Sequence, residues 1–282
     1  MKKNVQKIKL GRWFSLYIYL DGDVHEFLRF VKEKLVPKLA KNASKYFFIR
    51  YHDNLGFHIR LRFHTANNRL INDILSLLNT PNQKEFKIRL IQQKKYRREL
   101  KRYGRGSFIK EAESYFWRSS EYILNLAGRQ KRWSYQQSVS AAILVNHASL
   151  LGINISNANK KDMLYSLYES WLEDTLLRQN GNLNRELVEA AFEKSYNKQK
   201  ILIDNLIISS SSDDKLLEWQ HYNKATTDIL KSLTLNKYKN PALNTDLIIA
   251  ELFQSYLHMN NNRLGLLNID ESFIFYILLK YF

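Results

Sequence analysis

The sequence predicts an α+β fold: a small antiparallel or mixed sheet with helices over residues 1–106, then a mostly helical part over 107–282, the whole forming a single domain. Period-two alternation of apolar and polar residues is confined to roughly the first hundred positions, and helical periodicity fills most of the remaining chain. Charge divides the chain in a similar place. Residues 1–135 carry 30 Lys and Arg against 11 Asp and Glu, a balance of +19, whereas residues 136–282 carry 14 against 16, a balance of −2.

The elements are taken in order. Residues 13–20, WFSLYIYL, are aromatic and β-branched and end at Asp21-Gly22-Asp23, which predicts a central strand and a turn. Asp23 can cap a helix from Val24 to about Lys41, where Phe27, Phe30, Val31, Leu35 and Leu39 recur at helical spacing; Pro37 must kink it or end it early. Residues 46–63, YFFIRYHDNLGFHIRLRF, read as two strands joined through Asp53-Asn54-Leu55-Gly56. A helix is expected over 68–78, with Leu70, Ile71, Ile74, Leu77 and Leu78 buried and Pro81 as its stop. Phe86, Ile88 and Leu90 alternate with Lys87 and Arg89 as a further strand. Residues 96–106, YRRELKRYGRG, are expected to be locally helical until the glycines break them. Helices are then expected at 108–126 (Ala112, Tyr115, Phe116, Ser119 and Ile123 at helical spacing), 135–151, 161–177, 184–206, 216–233, 245–259 and 271–281. Residues 209–212, four serines, are expected to form a mobile loop leading into a cap at Asp213-Asp214.

Composition excludes several classes of function. Without cysteine there is no disulfide, thiolate metal site or cysteine nucleophile, and a reducing cytoplasm is the expected location. The histidines show no close-spaced ligand motif, so neither metal nor organic cofactor is expected. The basic N-terminus has no apolar run behind it, and the longest apolar stretch, 273–279, falls far short of the roughly 20 residues of a membrane span. The basic half implies an anionic partner, whether an acidic peptide, a carboxylate-bearing substrate or nucleic acid, although no helix-turn-helix, zinc finger or RNA-binding aromatic motif can be placed.

Three stretches hold candidate chemistry. In the second hairpin run His58, Arg60, Arg62 and His64 alternate with Ile59, Leu61 and Phe63, which puts four ionisable groups on one face as a ready anion site; the plainer alternative is a solvated basic surface hairpin. In YRRELKRYG, Tyr96, Glu99 and Arg102 or Tyr103 share a helical face, so a carboxylate and a guanidinium can sit side by side, although the stretch by itself favours an exposed ion pair on a basic helix. In residues 247–265, Glu251, Ser255, His258 and Asn262 form one stripe, with Ile249, Leu252, Phe253 and Tyr256 on the apolar side.

Taken together, FFIRYHDNLGFHIRLRF, YRRELKRYGRGSFIKEAESYFWRSSE and SYLHMNNNRLGLLNIDE resemble the three signature blocks of the glutamate-elimination domain of class I lanthipeptide (LanB-type) dehydratases, which also occurs free-standing as "thiopeptide-type bacteriocin biosynthesis" proteins. The middle block departs at Arg105, where a second glycine is usual, and at Ser119, where Asp commonly precedes a Ser-Glu pair. The resemblance implies a lyase that expels glutamate from glutamylated Ser or Thr of a ribosomally made precursor peptide, leaving dehydroalanine or dehydrobutyrine. The precursor's leader and core, and a separate tRNA-dependent glutamylating subunit, are then the expected partners; a homodimer is left open. The resemblance places Arg60 or Arg62, Glu99, Arg102 and His258 in the catalytic set, and sets His58, Tyr103 and Arg263 on the substrate-binding side. β-Elimination requires a base for the Cα proton, stabilisation of the developing enolate and a seat for a departing carboxylate, which a histidine and guanidiniums can supply. Two alternatives stand beside it: a thiopeptide pyridine synthase that joins two dehydroalanines by formal [4+2] cycloaddition and releases the leader, and a non-catalytic leader-binding subunit.

Overall fold

The computed structural model describes residues 11–79, 84–129, 133–179, 183–238 and 244–282. Two compact units compose it, Met1–Arg98 with Phe116–Trp133, and Glu99–Tyr115 with Ser134–Phe282.

The first unit contains β1 (Arg12–Gly22), α1 (Val24–Phe30), α2 (Val36–Asn42), β2 (Lys45–Asp53), β3 (Gly56–Thr65), α3 (Leu70–Leu78) and β4 (Phe86–Lys94). The strands form one antiparallel sheet in the order β2-β3-β1-β4, so the βαββαβ sequence expected from the alternation is present, with β1 central. Asp23 caps α1 by accepting from the His25 and Glu26 N–H groups. Pro37 does not end the helical run. Residues Val31–Leu35 widen into a π-helix in which the Val36 N–H reaches back to the Val31 carbonyl, and Pro37 follows directly in α2. Pro81, the expected stop of α3, lies outside the described residues. β4 runs on to Lys94, and a register shift opposite Tyr19/Leu20 turns Leu90 away from the apolar face and into solvent.

One face of the sheet is apolar: Phe14, Leu16, Ile18, Leu20, Ile59, Leu61 and Phe63 are all buried, and Phe27 of α1 meets Phe86 of β4 edge-on. At roughly 1.5–3 kcal/mol for each large side chain taken out of water, this layer supplies the main stabilisation of the unit. Beyond β4 come the short α4 (Leu100–Tyr103) and the long α5 (Ser107–Arg129), whose residues from Phe116 onward belong to the first unit. There α5 covers the edge strand β2: Ser120 Oγ accepts the Phe48 N–H at 3.1 Å, and Phe116 packs on Phe47.

Residues 96–99 are not helical, contrary to expectation; only Leu100–Tyr103 forms a helical turn. Tyr96 stays extended because its ring packs on Trp13 and Phe47, and the like charges of Lys94, Lys95, Arg97 and Arg98 disfavour a helix there.

The second unit holds α4, the start of α5, α6 (Tyr135–Gly152), α7 (Asn157–Arg178), α8 (Arg185–Ser210), α9 (Asp214–Tyr238), α10 (Thr245–Leu264) and α11 (Asn268–Leu279). Its core is built from Ile249, Phe253, Tyr256 and Leu257 of α10 and from Ile274, Phe275, Ile277 and Leu278 of α11, which packs along α7. Helices α6 and α9 approach so closely that a Cβ on Gly152 would lie 2.4 Å from the Gln220 carbonyl oxygen. The serine run is not a free loop: α8 continues through the buried Ser210, and only residues 211–213 link it to α9, which Asp213 caps through the Lys215 and Leu216 N–H groups. No helix among the described residues is long and apolar enough to cross a membrane.

His147 of α6 is buried against Ser210, 2.5 Å from its Oγ, and beside the Phe282 ring. Burial, reinforced by the Lys160 charge, pulls its pKa down from 6.5 to about 4. Between those values the unfolded chain binds the proton that the folded one refuses, so stability present above pH 6.5 is lost as pH falls toward 4. The full shift corresponds to about 3 kcal/mol. In urea titrations across this range, His147→Gln should lose stability less steeply than wild type; parallel pH profiles would refute the assignment.

Candidate active site

Strand β3 positions the first cluster. It lies between β1 and β2, so the face carrying His58, Arg60, Arg62 and His64 is not the solvated surface that a lone hairpin would present. The register sets Tyr17 and Ile49 opposite Arg60, Ser15 and Phe47 opposite Arg62, and Tyr19 and Tyr51 opposite His58. The Arg60 guanidinium lies 3.3 Å from the Tyr51 ring centre and 4.4 Å from that of Tyr17. Arg62, 8% exposed, lies 4.7 Å from the Tyr96 ring and 5.5 Å from that of Phe47.

His58 is wholly buried. Its Nδ1 lies 3.2 Å from the Gly56 carbonyl, which can only accept, and its Nε2 lies 3.1 Å from Arg60 Nε, which can only donate. The ring is therefore neutral with its proton on Nδ1, in keeping with a pKa lowered chiefly by burial. It holds Arg60 by one edge, and no described residue accepts from the Arg60 Nη atoms.

The second cluster lies on α4, α10 and α11. Arg102 Nε donates to Ser255 Oγ at 2.9 Å, and the Glu99 carboxylate is 3.9 Å from Arg102 Nη1, the pair largely exposed. Ser255 precedes His258 by one turn of α10, so the expected stripe is present, with Ile249, Leu252, Phe253 and Tyr256 buried opposite it. Tyr103 is buried, its ring stacked on Tyr256, and Arg263 is buried with Nη1 donating to the Met259 carbonyl. The three residues expected on the substrate-binding side, His58, Tyr103 and Arg263, are thus all interior. Arg60 and Arg62 belong to the first unit; Glu99, Arg102, Tyr103, His258 and Arg263 belong to the second.

His258 keeps 19% of its side chain exposed and stacks on Trp171 of α7, with ring centres 4.6 Å apart. Its Nδ1 lies 2.9 and 3.1 Å from the two carboxylate oxygens of Glu271, which is 1% exposed. Burial raises the Glu271 pKa, while His258 and the Asn261 side-chain amide, 3.2 Å from Oε2, pull it back down. Behind them runs a line of interior amides: Asn146 donates to Asn261 at 2.7 Å and accepts from Asn260 at 3.4 Å, and Asn260 donates to the Tyr115 hydroxyl at 3.1 Å. The turn that brings Glu271 to His258 depends on Gly265, whose φ of +80° ends α10.

Sequence reasoning missed Glu271 and Trp171 as site residues. Glu271 had a signal, since it falls in register with Ile274, Phe275 and Leu278 on the buried side of α11. Nothing in the sequence couples Trp171 to His258. Among the described residues, no three His, Cys, Asp or Glu side chains are grouped to hold a metal ion.

A basic, ring-covered split βαβ sheet followed by a helical unit with a carboxylate-held histidine defines a class that comparison identifies. The chain belongs to the family described as "Lantibiotic biosynthesis dehydratase C-term", whose sequence model matches residues 13–282. Its fold is similar to "Crystal structure of TsrL", with 13% identity, TM-score 0.68, and coverage of 96% of this chain and 94% of that one. It is also similar to "Pyridine synthase, TbtD, from thiomuracin biosynthesis", with 14% identity, TM-score 0.65, and coverage of 95% and 97%. The tRNA-dependent lantibiotic dehydratase MibB from Microbispora sp. 107891 matches at 17% identity and TM-score 0.59, over 93% of this chain but 27% of that one. At these identities the likeness shows a shared fold. No curated protein matches the sequence.

Asn146 is the amide shared by Asn260 and Asn261. Asn146→Ala should cost about 1–3 kcal/mol in urea denaturation, since it strips partners from buried polar groups. A change below about 0.5 kcal/mol, the scale of a neutral surface substitution, would show that the amide line does not brace the helices.

Proposed function

We propose that this protein is the elimination subunit of a split LanB-type dehydratase, expelling glutamate from glutamylated Ser or Thr of a precursor peptide in lanthipeptide or thiopeptide biosynthesis. The observation that carries the reading is the pairing within one unit of Arg102, bonded to Ser255, with His258 one turn further along α10. A guanidinium beside an imidazole is what elimination of a carboxylate requires.

In this reading the imidazole takes the Cα proton of the esterified residue. The C–H electron pair becomes the Cα=Cβ bond, the Cβ–O bond breaks, and glutamate leaves as a carboxylate. Arg102, steadied by Glu99 and Ser255, binds the developing negative charge, and Arg60, whose Nη atoms have no acceptor among the described residues, offers an anion seat in the first unit. Arg62 acts beside Arg60 with His58 interior to the first unit, while Tyr103 and Arg263 support Arg102 and His258 from the interior of the second. The excess of Lys and Arg in residues 1–135 attracts an acidic leader, the glutamyl ester is made by a separate subunit, and the work is done in the cytoplasm.

A second reading, pyridine formation, is supported by one finding: over 95% of this chain the fold is similar to that of the pyridine synthase TbtD, at a TM-score of 0.65.

A synthetic peptide bearing glutamyl esters, mixed with this protein without tRNA or ATP, should lose whole glutamate, each site ending one water lighter than the unmodified peptide by mass spectrometry. His258→Ala and Arg102→Ala should each slow this by about 10²–10⁴-fold. Glutamylated peptide returned intact, together with cyclisation of a fully dehydrated azole-bearing peptide and release of its leader, would establish the second reading instead.

A further inference from the structure

The feature that the proposed reaction leaves unused is the buried acid behind His258. Both Glu271 carboxylate oxygens lie within 3.1 Å of His258 Nδ1, and Asn261 donates to one of them. A buried carboxylate that already accepts from an amide is best satisfied by a further donor, and the only hydrogen that Nδ1 can offer is its own N–H. No described residue bonds His258 Nε2, and the exposed part of the side chain is small, because Trp171 covers one ring face.

We infer that Glu271 is a positioning residue: it fixes the Nδ1–H tautomer of His258, so that Nε2 is the basic atom, and it stabilises the imidazolium formed when Nε2 accepts a proton. The assignment deepens the elimination reading and rests on it for the identity of the proton, although the tautomer itself does not depend on the reaction. The geometry supports an orienting role in three ways. The carboxylate is in the first turn of a helix, which resists its movement; its second oxygen is pinned by Asn261, itself held by Asn146; and the stacked Trp171 ring blocks rotation of the imidazole out of plane. Glu271 is remote from solvent and bonded to His258, so its effect passes through that ring.

The test separates this inference from the reaction. In the ligand-free wild-type protein, ¹⁵N NMR of the His258 ring should show the Nδ1–H tautomer, and in Glu271→Ala, which removes the acceptor, both tautomers should be populated. Wild type in the Nε2–H form, or an unchanged tautomer in Glu271→Ala, would overturn the inference whether or not the protein turns over peptide. On glutamylated peptide, Glu271→Gln should lower kcat about 10²-fold with KM little changed, move the acid limb of the pH–rate profile down, and add nothing to the loss already caused by His258→Ala. Glu271→Asp, which keeps the charge, should recover part of the rate. An active wild type with Glu271→Gln equally active and an identical pH profile would also refute it. Wild type inactive on glutamylated peptide, but with the NMR result as expected, would sink the elimination reading and leave the positioning role standing.

Discussion

A charge taken out of water must be given partners by the protein, and much of the arrangement in both units stems from that requirement. Aromatic faces return about 0.5–2 kcal/mol per contact to a cation, less than full desolvation removes. Arg60, sandwiched between Tyr17 and Tyr51, is accordingly only half-buried. Glu271 can be wholly interior because it has a partner able to carry charge, His258, and an amide donor, Asn261. Arg263 at the end of α10 and the line from Asn146 to Tyr115 obey the same rule with neutral partners. No described residue bonds Nε2 of His258, the atom that the proposed elimination would employ.

Much of the fold was legible because its determinants are local. The alternation in residues 13–20 and 46–63, the Asp23 cap and the helical spacing of Phe27, Leu35 and Leu39 are each decided within a few residues, and they determine the strand-helix-strand-strand-helix-strand order. What failed was decided by contacts distant in sequence. Tyr96 is held extended by Trp13 and Phe47, which outweigh the helical pattern of 96–106; Ser210 is drawn into α8 by His147; and Leu90 leaves the apolar face through a shift in pairing with β1. The cationic face of β3 was correctly set out by period two, but its character was not. Whether such a face is solvated depends on β1 joining the hairpin, a pairing across about 40 residues that alternation alone does not encode. His258 was visible as a polar residue on a helix, whereas its partners Glu271 and Trp171 come from α11 and α7 and are set by helix packing.

Family membership extends over both units, since the match runs from residue 13 to residue 282. It does not choose between chemistries, because structures of similar fold include a pyridine synthase and a tRNA-dependent dehydratase. That choice rests on side chains. Two arginine positions, one steadied by a neutral histidine and the other by a serine and a glutamate, suit the binding of a departing carboxylate. Cycloaddition of two dehydroalanines expels no such anion, and this chemical difference is the ground on which elimination is proposed here.

The central claim is that the chemical step breaks a Cα–H bond as glutamate departs. It is tested most directly by tracking a glutamylated peptide deuterated at the serine Cα through a single turnover. Elimination predicts dehydroalanine with the deuterium lost and glutamate release slowed relative to the protiated peptide. Release of glutamate with serine regenerated and its deuterium retained would mean simple ester hydrolysis, and would contradict the account.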